Sequence, residues 1–352
     1  MSVSFSTSLF KKYSSILLLF TVLILTSCEK EEPLYPQPKV AAGLQTQTFE
    51  MGETYSNQLY FDFETQTKTS NLYGKWDLGF SCNGTPHVIV CAGKSTNYAL
   101  AKVTDTHFDD IHQLQMSSLK WAFDNPNGSL DSLVTANCFR PTGNGYEGIP
   151  NETYVLDLGS DSIVVNRFIK IKFLSVRGGM YEFQWSLVFN PSKINITKIY
   201  TNQDYNYTYF DFGTLKTVEN EPIKNTNWDI VFTTYKESIH DVNGQPYPYI
   251  IRGALINPHK ISVYEVNSST TGINFENMTK DLALNFKFSK TLNEIGYDWK
   301  VYDQNSAKYT IVQNKYFLLK TESGNLFKMR FIDFYDDQGR KGYPKMAWEI
   351  LK

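Results

Sequence analysis

Four cysteines in 352 residues are too few for a disulfide scaffold, and their spacing matches no zinc motif. Charge of one sign is also missing. Lys and Arg total 34 against 36 Asp and Glu, for a formal net charge of -2. No basic block interrupts that balance, which argues against a nucleic-acid partner. Long hydrophobic runs are confined to one stretch, Ile16 to Leu25, and its length falls well short of the roughly 20 apolar residues that span a bilayer. The chemical motifs fail in turn. There is no His-Glu-x-x-His zinc helix and no Gly-x-Ser-x-Gly elbow. Ala92-Gly93-Lys94-Ser95 has the look of a P-loop end, but Val88 stands where the first glycine is needed. The acidic pair Asp336-Asp337 sits in a turn-forming context beside Gly339. The chain reads as a non-enzyme.

What is present begins at the N-terminus. Lys11 and Lys12 precede the apolar run, which suits the central region of a secretory signal. The run ends in Leu25-Thr26-Ser27-Cys28, which resembles a lipobox. By that resemblance residues 1–27 are removed, Cys28 is lipidated, and the protein holds to the membrane through its lipid anchor only. Glu29-Lys30-Glu31-Glu32 is similar to the surface-export signal of Bacteroidetes lipoproteins, which implies the outer face of the outer membrane. Pro33, Pro36 and Pro38 stiffen the remainder of a tether over 28–44.

The mature part carries an internal repeat. Tyr60-Phe61-Asp62-Phe63 recurs as Tyr209-Phe210-Asp211-Phe212, and Trp76-Asp77-Leu78-Gly79-Phe80 as Trp228-Asp229-Ile230-Val231-Phe232. Arg167 to Lys172 has its counterpart in Lys315 to Lys320. Each leads to a small-residue turn, Gly178-Gly179 or Ser323-Gly324-Asn325, and then to an aromatic run. Large apolar residues fall at period two in these runs, as strands require. Aromatics at 15%, with 23 Tyr and 24 Phe, favour strands as well. The expectation is an all-β chain of two related, mostly antiparallel β modules in tandem, over 45–195 and 196–352, with a linker near Asn190-Pro191-Ser192. Helices should be few and short, with Ser117–Phe123 and Glu276–Phe288 the best candidates. Cys82 and Cys91 could face each other across a hairpin and bridge, leaving Cys138 a buried free thiol; the spacing leaves this open.

The second half resembles the HmuY family of haem-binding lipoproteins. The residues that carry the likeness are Trp228 to Tyr235, Lys320 to Phe334, and the ending Phe334-Tyr335-Asp336-Asp337-Gln338-Gly339-Arg340-Lys341-Gly342-Tyr343-Pro344-Lys345, which looks like the family's closing hairpin. The first half repeats Trp76-Asp77 and the Tyr-Phe-Asp-Phe strand but lacks the Gly-Tyr-Pro ending. The resemblance implies an all-β fold, a surface lipid anchor, and capture of haem for uptake through a TonB-dependent outer-membrane receptor. It also implies axial ligands from loops between the Trp-Asp strand and the final hairpin. Candidates in those windows are His107, His112 and Met116 in the first half, and His240, His259 and Met278 in the second. No metal other than haem iron is expected. His107 and His112 are five apart and would share a face poorly on a helix, though as loop residues they could converge. Tyr247 and Tyr249, beyond the Asn243-Gly244 turn, either line a pocket or cover a sheet end. The alternative function is a β-sheet surface lipoprotein that binds a glycan or a protein partner without haem, which the abundance of Tyr and Trp would suit.

Overall fold

The computed structural model describes residues 43–113, 115–159, 164–191, 193–222 and 228–352. The signal segment, Cys28 and most of the tether lie outside the described residues. Two pairs of antiparallel sheets account for most of the rest, and each pair encloses its own aromatic core.

The first pair combines a five-stranded and a four-stranded sheet. The five-stranded sheet runs Gln45–Thr48, Lys341–Ile350, Leu326–Tyr335, Lys315–Thr321, Ile261–Asn267, and the four-stranded sheet runs Pro246–Ile256, Ile230–His240, Asn57–Phe61, Lys68–Leu72. Period-two alternation sends one face of each strand inward. Phe49, Phe61, Phe63, Phe232, Trp299 and Trp348 meet there with the aliphatic residues of both sheets. The second pair joins an eight-stranded sheet to a four-stranded one. The eight-stranded sheet is built around Phe168–Arg177 and Met180–Leu187, and the small one runs Lys216–Val218, Tyr207–Asp211, Leu78–Ser81, Val88–Val90. Phe80, Tyr154, Phe183 and Phe210 fill its core.

The two repeats exchange strands. Asn57–Phe61 of the first half pairs with Ile230–His240 of the second, and Phe61 lies opposite Ile230. Tyr207–Asp211 of the second half pairs with Leu78–Ser81 of the first, and Phe210 lies opposite Leu78. The repeat relates Phe61 to Phe210 and Leu78 to Ile230, so the two pairings are the same pairing made reciprocally. Neither core therefore respects the boundary expected between 195 and 196. The expected linker at 190–192 joins two neighbouring strands of one sheet instead, because Asn195–Tyr200 pairs with Met180–Leu187.

Other expectations resolve locally. The Gly178-Gly179 and Ser323-Gly324-Asn325 turns do connect paired strands, and the closing hairpin is Leu326–Tyr335 against Lys341–Ile350. The helix candidates shrink. Ser117–Phe123 becomes a 3-10 turn at Met116–Ser118 followed by the short strand Trp121–Ala122. Glu276–Phe288 keeps a single turn of helix, Lys280–Ala283, capped by the Thr279 hydroxyl. Runs this short cannot offset the cost of helix nucleation, so neighbouring strands decide their shape. Cys91 and Cys138 are buried free thiols, and Cys82 is buried as well. Leu78 pairs with Val90 and Phe80 with Val88, which puts Cys82 and Cys91 at opposite ends of their hairpin, and no bridge forms.

Candidate functional site

The Ile230–His240/Pro246–Ile256 hairpin is longer than the core it grows from. Its base is buried, but its outer half is exposed. The Asp241 carboxylate closes the tip by accepting hydrogen bonds from the backbone N–H of Asn243 and Gln245, both at 2.8 Å. Gly244 takes the left-handed conformation that such a turn needs. Along the projecting arm Tyr247 and Tyr249 are 40% and 48% exposed, and their rings meet edge to face at 6.3 Å. His240 is exposed at the end of the same arm, opposite Pro246.

A second, smaller hairpin, Lys300–Asp303/Lys308–Ile311, contributes Tyr302 and Tyr309, paired across its strands with rings 5.0 Å apart. The hydroxyl of Tyr335 accepts the Tyr309 N–H at 2.6 Å. Tyr309 packs on Phe334 at 5.2 Å, and Phe334 stacks on Tyr55 at 6.4 Å. Burial and then Tyr249, Tyr335 and Tyr302 oppose ionisation of the Tyr309 phenol, so the two hairpins share one tyrosine cluster. Burial pushes Tyr55 up to about 12, with Tyr309 adding to the shift and Arg252 opposing it. Tyr55 and Tyr309 are therefore neutral at physiological pH.

Two cations sit among them. The Arg252 guanidinium lies 4.7 Å from the Tyr55 ring. One of its terminal nitrogens donates to the Ile250 carbonyl at 3.2 Å, while its buried Nε has no partner among the described residues. Lys300 lies beneath, 4.1 Å from the Trp299 ring and 4.9 Å from Phe334. Its ammonium donates to the Arg252 carbonyl at 2.7 Å. Burial lowers Lys300 to about 7, against the pull of Asp298 and with help from the charge of Arg252. Neither cation forms a salt bridge among the described residues, since Asp298 is taken by Lys315 at 2.7 Å. An exposed aromatic surface over unneutralised positive charge suits a flat apolar ligand that carries an anionic group.

The six ligand candidates are scattered. His107 precedes the Phe108–Gln113 turn and His112 lies within it, both exposed, and the His112 ring is held to the Asp109 carbonyl at 2.6 Å. Met116 packs on the Val103, Ile111, Val155 and Phe168 cluster of the first half. Met278 is 2% exposed and packs among Val266, Phe275, Tyr316 and Leu318. Of the six, His240 alone is on the tyrosine-bearing arm. His259 is exposed in the turn after Ile256 and lines a separate cavity of about 410 Å³ between the repeats, together with His87, the one histidine outside the candidate set. Sequence reasoning singles out Tyr247 and Tyr249 but passes over Arg252, Lys300, Tyr302 and Tyr309. Nothing in a single sequence shows that an arginine lacks a carboxylate partner. Among the described residues no group of three His, Cys, Asp or Glu could hold a metal ion.

Residues 202–348 match the family described as HmuY protein, so this stretch of the chain is HmuY-like. No curated protein matches the chain. Among solved structures, a protein of Bacteroides vulgatus described as HmuY-like and haem-binding is similar at 18% identity and TM-score 0.21, over 40% of this chain and 83% of that one. Apo PinO of Porphyromonas gingivitis is similar at 10% identity and TM-score 0.24, over 89% of this chain and 99% of its own. The apo HmuY analogue of Tannerella forsythia is similar at 8% identity and TM-score 0.25, over 89% and 97%.

Proposed function

We propose that this chain is a lipid-anchored surface protein that captures haem and delivers it to a TonB-dependent outer-membrane receptor, with haem docking against the two tyrosine-bearing hairpins. The observation that carries the site is Arg252, whose buried Nε is unsatisfied among the described residues inside a tyrosine cluster that lies, apart from Tyr55, within the HmuY-like stretch. A porphyrin presents a flat apolar face and carboxylate side chains. The rings of Tyr249, Tyr302 and Tyr309 supply the matching surface, and the guanidinium supplies the charge partner for a propionate. On the arm, the His240 imidazole and the phenols of Tyr247 and Tyr249 are the groups that would hold the haem iron, since both residue types ligate it. Cys28 would hold this surface outside the cell, and the prolines after it would keep it clear of the membrane.

The test is a haemin titration followed in the Soret region. Saturable binding with a shifted band is expected. Arg252→Ala should weaken affinity by about tenfold, the scale of one charge-assisted contact. His240→Ala or Tyr249→Phe should alter the ligand-field bands of whichever group binds iron. A spectrum that stays that of free haemin in both redox states sinks the proposal. The scatter of the six candidate ligands favours a second reading, a surface that engages a glycan or a protein partner without haem. Under it the titration is flat, and Tyr247→Ser or Tyr249→Ser disrupts partner capture instead.

A further inference from the structure

The cavity between the repeats is built differently from the hairpin site and from parts of both halves. Strand exchange brings Trp76 against Tyr209, rings 4.8 Å apart, and Trp228 against Tyr60 at 5.1 Å. These four rings and Tyr207 contribute to its wall. Glu221 and Asn206 line it as well. The Glu221 carboxylate accepts the backbone N–H of Asn206 at 2.6 Å and of Tyr207 at 2.9 Å, and the Asn206 amide nitrogen at 3.2 Å. Those bonds hold the acid and the amide in fixed positions.

Hydrogen-bonding capacity is left over on both sides. Trp228 is 5% exposed, and its indole N–H has no partner among the described residues. The side-chain oxygen of Asn206 is buried and likewise has none. An unpaired buried polar group is destabilising, so a donor and an acceptor left open at one cavity mark a place where something else completes them. The occupant must accept from an indole, donate to an amide oxygen, and present apolar faces to aromatic rings. Among the described residues Glu221 forms no salt bridge, and of the two lysines in the lining Lys236 donates to the Thr96 and Tyr98 carbonyls while Lys290 is exposed, so no buried charge partner selects an ionic occupant. A lipid chain would leave the polar groups unmatched.

We propose that this cavity is a second ligand site and that it takes a neutral sugar ring, whose C–H faces lie on the Trp and Tyr rings and whose hydroxyls pair with Trp228, Asn206 and Glu221. A pyranose hydroxyl both donates and accepts, which is what the leftover groups demand. The cavity volume falls in the range usual for small-molecule sites. This site is independent of the haem reading and shares none of the residues assigned to it.

Saturation-transfer NMR on the full chain with the methyl glycosides of glucose, galactose, mannose and N-acetylglucosamine tests it, with choline as a cationic comparison. At least one glycoside should bind saturably. Trp76→Ala should weaken that binding by about tenfold or more, in line with the loss of an aromatic platform. Trp228→Phe keeps a ring but removes the N–H, and it should weaken binding while thermal unfolding stays cooperative. Tyr200→Ser, an exposed aromatic outside both sites, serves as the control and should change nothing. The proposal is overturned if no glycoside saturates, if choline binds in their place, or if both tryptophan variants bind as tightly as the parent chain.

Discussion

At the scale of single residues, the repeat has left two copies of one buried ion cluster that differ by a hydroxyl. In one copy Asp77 accepts the Phe212 N–H at 2.7 Å, the Lys94 ammonium at 2.7 Å and the Tyr98 hydroxyl at 2.9 Å. In the other, Asp229 accepts the Phe63 N–H at 2.7 Å, but its second oxygen is unsatisfied among the described residues. Lys260 stands 3.8 Å from that oxygen and bonds instead to Asp62 at 2.6 Å. Burial and then the neighbouring Asp62 push Asp229 up to about 7. The copies should therefore respond differently to the same change. Asp77→Asn removes the partner of a lysine and a tyrosine and should cost about 3–5 kcal/mol, as breaking a buried pair does. Asp229→Asn keeps the bond to Phe63 and resembles the protonated acid, a form substantially populated there at neutral pH, so its cost should stay below about 1.5 kcal/mol. Urea unfolding at neutral pH checks both. Equal losses would contradict the asymmetry.

Among the elements, exchange of the Tyr-Phe-Asp-Phe strands has the largest consequence. Residues 202–348 match a family on their own, yet the core beneath them takes Phe49, Phe61 and Phe63 from the other half. Each ring is fully buried, and loss of one such ring costs about 3–5 kcal/mol against a whole-domain stability of about 5–15. A fragment of 202–352 should therefore lack dispersed amide signals and near-UV dichroism, and adding 43–201 should restore them. A folded 202–352 alone would refute the claim. The strands themselves were legible in the sequence because a period of two and the turn residues at Gly178-Gly179 and Gly324-Asn325 are local signals. Their partners were not. Phe61 would find the same apolar register against Leu78 or Ile230, because the repeat makes those environments alike, so the pattern cannot choose between pairing within a half and across halves. The site divides the same way. Tyr247 and Tyr249 stand out beside an Asn-Gly turn, while Tyr302, Tyr309 and Arg252 join them only through folding.

Over the whole molecule, burial has moved several ionisable groups toward neutrality, and their sum fixes how stability follows pH. Glu221 is pushed by burial from 4.5 to about 7, Asp124 from 3.8 to about 6, and Asp229 from 3.8 to about 7. A carboxyl whose folded value lies above its unfolded one contributes stability that is fully present below the unfolded value. That contribution is lost as pH rises through the folded value. These acids therefore favour the folded chain increasingly as pH falls from 7.5 toward 5. His87 works the other way. Burial lowers it from 6.5, so its contribution is present above that value and lost as pH falls through the folded one. Lys236, lowered by burial to about 8, and Lys300, lowered by burial to about 7, change their contribution mainly above neutrality. Three acids against one histidine leave a net gain toward acid. The urea midpoint should rise between pH 7.5 and pH 5, by at least about 1 kcal/mol in unfolding free energy, since a tenfold difference in one group's proton affinity between folded and unfolded chain is worth about 1.4 kcal/mol. Glu221→Gln and Asp124→Asn should each flatten that slope, because an amide cannot take up the proton that produces it. A midpoint that falls steadily over the same interval would mean that these carboxyls are ionised in the folded chain despite their burial.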